Sequence, residues 1–227
     1  MDVCHQASAL DNREVAVASS VIAVQAPENT NMGTFVGHIL PGSFTFLFGT
    51  WWTFAVWRNY VRSRKKKQRY VCRCSYAVPC LPRKLSVEGI VKIIGSCACI
   101  LMEYLSIFVL FLLNGVGDVM YNAGFPLPPH TDYATLLLTI ASEGLLLHFH
   151  LHGRSHLDVV IHTLLVYTVV ALVACLLAEM CRPRSVLASL GRAYFALLHG
   201  TWLCQIGFIL YSPLPDTNPG TLTATGT

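Results

Sequence analysis

The sequence predicts an all-α membrane protein, a multi-pass bundle of about five transmembrane helices. Hydrophobic residues make up 54% of the 227 residues and charged residues only 12%, whereas a soluble domain carries roughly a quarter charged residues. The mean hydropathy is +0.53. Several apolar stretches reach the ~20 residues that a helix needs to cross the hydrocarbon core. Length and composition therefore predict one membrane domain and no separate soluble domain.

The first 31 residues precede the first predicted span. Asp11, Arg13 and Glu14 interrupt this region, and its Val15–Val24 apolar run is too short to cross a bilayer. We therefore expect residues 1–31 to form a flexible N-terminal extension.

Five apolar segments between residues 32 and 211 are predicted to form the transmembrane domain. Glycines and prolines between Asn114 and Asp132 prevent a helix from continuing there. The tail of residues 212–227 is rich in Thr, Pro and Gly, has no apolar pattern and is predicted to be disordered. The predicted spans lie near residues 35–57, 87–113, 133–152, 157–180 and 186–211.

Basic residues predict the orientation in the membrane. Ten of the sixteen Lys and Arg residues lie between Arg58 and Ser86, so the positive-inside rule places this loop in the cytosol and the N-terminus in the lumen. Alternation over five spans then puts the C-terminus in the cytosol. Arg182 and Arg184 fall on the lumenal side in this arrangement, a small violation that the larger count outweighs.

The net charge of +4 does not indicate a nucleic-acid-binding protein. The basic residues are concentrated beside an apolar segment and are not spread over a recognition face. The lipid bilayer is the expected environment, other membrane proteins are the expected class of partner, and no nucleic acid is expected. Cys72, Cys74 and Cys80 lie in the predicted cytosolic loop, where thiols stay reduced.

Histidines and carboxylates concentrate in one stretch of the predicted membrane domain. His148 and His152 are four residues apart and share a helix face, as do Asp158 and His162. Ionisable groups inside a bilayer cost at least a few kcal/mol each, so they face the bundle and pair with one another. The candidate site residues are His148, His150, His152, His156, His162 and His199, with Glu143 and Asp158 as supporting carboxylates.

Three interpretations of this cluster stay open. The favoured one is structural, with histidines hydrogen-bonding between helices or lying at the headgroups. A second is a metal or haem site, because neutral imidazole binds zinc, copper or iron and Glu143 or Asp158 could orient a ring. A third is a relay for protons or a solute. The tight His-Glu-x-x-His zinc pattern is missing from the sequence.

Several short motifs between Met32 and about Pro213 combine Gly, His and Trp within apolar surroundings. They are Met32–Gly42, Gly49–Trp52, Glu143–Leu146, His150–Arg154, Leu157–Asp158, Gly200–Trp202 and Gln205–Tyr211. Together these motifs resemble those of the transmembrane protein 45 family. The resemblance implies a multi-pass protein of secretory and endosomal membranes, such as the Golgi and endosomes, or of the plasma membrane, with seven spans and no settled biochemical activity.

The sequence departs from that family at both ends. Residues 1–31 precede the point where members begin, and Asp216–Gly220 stands where members continue into two further spans. The resemblance therefore implies a truncated or alternatively spliced form.

The predicted role is that of a non-enzymatic membrane scaffold or trafficking component. The first alternative is a membrane enzyme, an oxidoreductase or hydrolase that binds zinc, copper or haem through the histidine cluster. The second alternative is a proton-coupled transporter with Glu103, Glu143 and Asp158 as carriers.

Overall fold

The computed structural model of the chain describes residues 30–79, 81–82, 85–101, 105–149 and 155–211. Every secondary-structure element assigned in these ranges is an α-helix, which confirms the predicted all-α class. The predicted tail of residues 212–227 and nearly all of the predicted extension lie outside the described residues. The helices are α1 (Thr30–Lys65), α2 (Val87–Leu101), α3 (Leu105–Ala123), α4 (Thr131–Phe149), α5 (His156–Cys181) and α6 (Val186–Tyr211).

Three of the described helices are long and apolar enough to cross a membrane, namely Phe35–Lys65, His156–Cys181 and Val186–Tyr211. A shorter apolar helix covers Phe108–Ala123. Large apolar side chains cover the outside of these helices; Leu47, Val170 and Phe208 are each more than half exposed. Apolar helices with outward-facing apolar side chains belong in lipid.

Neighbouring helices run antiparallel, as contacts on either side of their connections show. Lys92 in α2 reaches Asp118 in α3, and Glu179 in α5 reaches Arg192 in α6. In each pair, the two partners are separated by similar numbers of residues from the connection between their helices. The helices therefore pack side by side between two ends of one bundle.

Three connecting segments meet at one end of this bundle. The Cys72 backbone N–H donates to the Pro183 carbonyl over 2.7 Å, and the Cys74 thiol donates to the Asp132 carbonyl over 3.4 Å. We call this the basic end, because it holds most of the Lys and Arg residues. Its segments are the described residues of 66–86, which are 66–79, 81–82 and 85–86, together with 124–130 and 182–185.

The start of α1 and the end of α6 meet at the other end, which we call the opposite end. There the rings of His38 and Tyr211 lie 5.1 Å apart. The start of the first described helix and the end of the last one therefore lie at the same end of the bundle. Five alternating spans would place them at opposite ends. Arg182 and Arg184, which the sequence placed apart from the basic loop, lie beside it.

The number of helices differs from the prediction in residues 87–123. The sequence predicted one span over 87–113 and a loop over 114–132, but α2 ends at Leu101 and α3 returns antiparallel to Ala123. Two short apolar helices in succession give one continuous hydropathy signal, so hydropathy does not reveal the reversal. The loop proper is confined to residues 124–130, which contain the prolines.

Close backbone contact joins α1 to α6. A side chain added at Gly200 would lie 2.4 Å from the Phe46 nitrogen, and one at Gly49 would lie 2.6 Å from the Leu197 nitrogen. Only glycine permits this approach, which is a common way for membrane helices to gain van der Waals contact. Such close contacts run along α6 from Leu197 to Gly207, where a side chain would meet His38.

The inner face of α1 supplies the aromatic core. Phe48 packs against Phe44, Trp52 and Phe111 with ring centroids 4.9, 5.8 and 5.7 Å apart. Edge-on packing of this kind adds stability beyond the buried area. This layer lies directly above the polar groups of the basic end.

Candidate functional site

Four polar side chains of α2 and α3 form a buried cluster near the basic end. The Lys92 ammonium lies 2.7 Å from Asp118 Oδ2, 2.9 Å from Asn114 Oδ1 and 3.5 Å from Glu88 Oε1. None of the four is more than 4% exposed. Because a buried ammonium is tolerated only with well-placed partners, the two helices are held in this register.

Glu88 connects this cluster to α1 and to segment 66–86. The indole N–H groups of Trp51 and Trp52 donate to its two carboxylate oxygens over 2.9 and 3.0 Å. The Tyr76 backbone N–H donates to Oε2 over 2.8 Å. One buried carboxylate therefore joins three separate parts of the chain.

A second ion pair lies at the same end between α5 and α6. Arg192 Nε donates to Glu179 Oε1 over 2.8 Å, and the Tyr133 hydroxyl of α4 donates to Glu179 Oε2 over 2.7 Å. Arg192 also donates to the Arg73 carbonyl over 2.9 Å and lies 4.4 Å from the centre of the Trp52 ring. This arginine is fully buried, so its charge is balanced entirely within the protein.

Segment 66–86 folds back against the bundle. Tyr70, Cys72, Cys74 and Tyr76 are each at most 8% exposed. Burial raises the pKa of the Cys74 thiol well above its ordinary value and raises the pKa of the Tyr76 hydroxyl as well. These groups stay neutral, and the segment is an ordered lid over the ion pairs.

A polar chain crosses the middle of the bundle through His199. Its Nδ1 lies 2.8 Å from Thr168 Oγ1 of α5, and its Nε2 lies 3.2 Å from Glu143 Oε1 of α4. The Thr168 hydroxyl also donates to the Leu165 carbonyl over 2.7 Å, which anchors it within α5. Both ring nitrogens are therefore occupied by protein partners.

A second histidine site lies near the opposite end. Ser155 caps α5 by accepting a hydrogen bond from the Asp158 backbone N–H, and this places Asp158 in the first turn. His162 Nδ1 lies 2.6 Å from Asp158 Oδ1. The His38 ring of α1 is 5.8 Å from the His162 ring. This site and the His199 chain have separate partners.

Comparisons with known proteins give a partial match. Over residues 130–218 the chain matches a family model described as a family of unknown function (DUF716). The chain is similar to transmembrane epididymal protein 1. It is 32% identical to the human protein over 113 residues, which are 49% of this chain and 41% of that relative. It is 24% identical to the rat protein over an alignment 214 residues long, which covers 81% of this chain and 69% of that relative.

The mouse transmembrane epididymal protein 1A is 25% identical over 214 residues, again with 69% of its length covered. The chain thus spans less than half of the human relative and about two thirds of the rodent ones. Since these relatives are named as transmembrane proteins and the described helices are apolar, the chain is a membrane protein.

These similarities correct the resemblance to the transmembrane protein 45 family, because they point to the DUF716 and transmembrane epididymal protein 1 group. Motifs such as Gly49–Trp52 and Gly200–Trp202 were misleading, since small and aromatic residues recur wherever membrane helices pack closely or meet headgroups. The seven spans, the Golgi and endosomal location and the truncated form lose the support that the resemblance gave them.

Four of the six predicted histidines lie within the described residues, in different surroundings. His162 and His199 are buried, whereas His148 at the end of α4 and His156 at the start of α5 are exposed. His150, His152 and Glu103 lie outside the described residues. Among the residues that the structure describes, no group of three or more His, Cys, Asp or Glu side chains is arranged to hold a metal.

Sequence reasoning missed the charged residues of the basic end. Glu88, Lys92, Asn114, Asp118 and Glu179 were not among the candidate site residues. Two signals could have indicated them: the four-residue spacing within Glu88/Lys92 and within Asn114/Asp118, and the opposite charges of Glu179 and Arg192 on either side of a short turn.

Proposed function

We propose that this protein is a non-enzymatic membrane scaffold that presents a fixed basic surface on the cytosolic side. The observation that carries the proposal is the docking of segment 66–86 onto the bundle. Its backbone and side chains bond to Glu88, Asp132, Pro183 and Arg192. A segment tied to helices α2, α4 and α6 and to the α5–α6 turn is held in one conformation, as a binding surface requires.

The orientation follows from where the basic residues gather. Segment 58–86 contains ten basic residues, and Arg182 and Arg184 lie at the same end. The positive-inside rule therefore favours a cytosolic basic end. In this arrangement all six helices traverse the bundle, and Phe35 and Tyr211 both face the lumen or the exterior. The earlier expectation of a cytosolic C-terminus gives way to this one.

The exposed basic side chains are the surface that we propose for partners. Arg62, Arg64, Lys65, Lys66 and Lys67 extend from the end of α1 and are exposed to solvent. Such a cluster directly next to a membrane helix attracts anionic groups. We propose acidic cytosolic segments of other membrane proteins as the partners, in keeping with a role in assembly or trafficking.

A charge-neutralised variant tests this role. We expect Lys65→Gln, Lys66→Gln and Lys67→Gln together to remove copurifying membrane proteins and to change the distribution of the protein between organelles. The remaining basic residues preserve its orientation. Arg182→Gln with Arg184→Gln is the matched control, since both residues are exposed at the same end. Equal partner recovery from the triple variant and wild type would refute the proposal.

A proton-coupled function is the second candidate, favoured by the His199 chain. Glu143, His199 and Thr168 connect three helices through ionisable or hydroxyl groups, and the Glu143 side chain is 23% exposed. A histidine between a carboxylate and a hydroxyl can pass a proton between them. Proton flux into liposomes that is lost in Glu143→Gln would support this function over a scaffold.

Metal or haem binding by the histidine cluster is the remaining proposal. His199 already contacts protein partners through both ring nitrogens, so any such site would use other histidines of the cluster, His162 among them. Elemental analysis and an absorption spectrum of the purified chain test it. Stoichiometric zinc or copper, or a Soret band, that His162→Gln removes would favour an enzyme.

A further inference from the structure

The lipid-facing side of the α1–α6 pair carries a groove of about 420 Å³ that is lined by Ser43, Phe46, Leu47, Thr201, Cys204 and Gln205. Close packing of α1 and α6 adjoins the groove, since a side chain added at Gly42 would meet Cys204 and one added at Gly200 would meet Phe46. Most of the outward surface around it is apolar, including Phe208 and Ile209. The groove is therefore an apolar surface with a few polar groups.

Most of those polar groups are satisfied within their own subunit. The Thr201 hydroxyl donates to the Leu197 carbonyl over 2.9 Å, and Ser43 Oγ lies 3.9 Å from Cys204 Sγ. Bonds of the first kind are common for Ser and Thr in membrane helices. These groups could be tolerated against lipid chains.

Gln205 differs from them. Its side chain is exposed on the groove, and the described residues provide its amide with no hydrogen-bond partner. A primary amide has two donors and an acceptor, and an unsatisfied one in hydrocarbon costs several kcal/mol. Gln side chains in membrane helices meet this need by bonding across to another helix. The amide thus indicates that a helix covers the groove.

We propose that the helix belongs to a second copy of this chain, and that the protein forms a two-fold dimer through the α1–α6 groove. Copies inserted in one membrane share an orientation, so a two-fold axis along the membrane normal puts Gln205 opposite Gln205 at the same depth. Because an amide both donates and accepts, the two side chains complete each other with reciprocal hydrogen bonds.

The groove suits close approach of the second copy. Ser43, Thr201 and Cys204 are small, and small residues at a helix interface let backbones approach closely. Phe46 and Leu47, 40% and 64% exposed, supply apolar contact beside them. The dimer does not depend on the scaffold role, and its test reads association alone.

Association of the full chain in phosphatidylcholine vesicles tests the proposal, by photobleaching step counts at increasing dilution in lipid. We expect wild type to dimerise and Gln205→Leu to weaken the dimer about tenfold. The melting temperature of the diluted monomer should stay unchanged, because no side chain in the part of the chain that the structure describes hydrogen-bonds to the Gln205 amide. Gln68→Leu, an exposed glutamine of segment 66–86, is the matched control.

Native cysteines test the geometry. Oxidative crosslinking should join two copies through Cys204, so Cys204→Ala should lose the crosslinked dimer while Cys97→Ala on the exposed face of α2 keeps it. A monomeric wild type, even one that binds some other membrane helix, would overturn the proposal. So would a Gln205→Leu dimer of unchanged strength, or a crosslink that depends on Cys97.

Discussion

The basic end and the middle of the bundle both contain buried polar groups, but of different kinds. At the basic end, permanent cations meet carboxylates: Lys92 with Glu88 and Asp118, and Arg192 with Glu179. In the middle, His199 bridges Glu143 and Thr168. The first arrangement pairs full charges, whereas the second joins a histidine, a carboxylate and a hydroxyl by hydrogen bonds.

This contrast has an energetic consequence. Removing one member of a buried ion pair leaves an isolated charge, which is far more costly than losing a neutral hydrogen bond. Stability should therefore depend on the basic end much more than on the histidines. The following predictions test that order, from the largest expected effect to the smallest.

The largest loss is expected for Arg192→Met. It leaves the Glu179 carboxylate buried with only the Tyr133 hydroxyl as a partner, and should lower the free energy of unfolding by about 3–5 kcal/mol. Denaturation in detergent measures the change. Arg182→Met at the exposed turn of the same end is the control, with an expected change within about 0.5 kcal/mol.

A double-mutant cycle with Glu179 separates the effect of charge from that of packing. Combining Arg192→Met with Glu179→Leu removes both charges and should recover most of the lost stability. If the double variant is as unstable as the single one, packing of the arginine over Trp52 rather than charge balance explains its burial.

The α1–α6 contact should respond next. Gly200→Ala places a methyl group 2.4 Å from the Phe46 nitrogen, so we expect a loss of about 1–3 kcal/mol. Gly117→Ala is the control, since nothing lies within 4 Å of its added side chain and alanine favours a helix by up to about 1 kcal/mol. Equal effects at the two positions would argue against the close helix pairing.

The histidine chain should respond less. His199→Gln retains an amide that can bond to either Glu143 or Thr168, and a membrane hydrogen bond is worth about 0.6–1.7 kcal/mol. We expect a loss in that range by thermal unfolding. His148→Gln, at an exposed position of α4, should change stability by less than about 0.5 kcal/mol. A loss at His199 as large as that for Arg192→Met would remove the contrast between the two regions.

The smallest effect concerns pH. Burial raises the pKa of the Cys74 thiol in the folded protein, so its stabilising contribution is fully present below the ordinary thiol pKa of about 8.5 and declines above it. At that pH the unfolded thiol is half ionised, which should lower stability by about 0.4 kcal/mol. Denaturation between about pH 7 and 9 should show a steeper decline for wild type than for Cys74→Ala; equal slopes would contradict the burial of this thiol.

The parts that could be predicted from the sequence are those that depend on local composition. The apolar segments at 157–180 and 186–211 became α5 and α6 almost residue for residue, because each has the length and apolarity of one helix. Among the histidines concentrated in one stretch of the sequence, His162 and His199 are buried, whereas His148 and His156 are exposed. The pattern did not reveal which partners they would have.

The remaining features needed three dimensions. Lys92 and Asp118 are 26 residues apart, and Arg73 and Arg192 are 119 apart, so no local pattern could link them. The α2–α3 reversal was hidden within one apolar run. Segment 66–86 looked like a solvated basic loop, since its buried residues Tyr70, Cys72, Cys74 and Tyr76 are interspersed with arginines.

By itself the sequence determined that this is a helical membrane protein. A helix completes its backbone hydrogen bonds within one segment, and apolar side chains suit the hydrocarbon core, so both properties depend only on local composition. The tertiary structure decided which charges pair, that the basic segment docks onto the bundle, and that α1 and α6 pack in close contact. Each of these depends on groups distant in sequence approaching within hydrogen-bond or van der Waals distance, and the order of residues along a chain does not specify those distances.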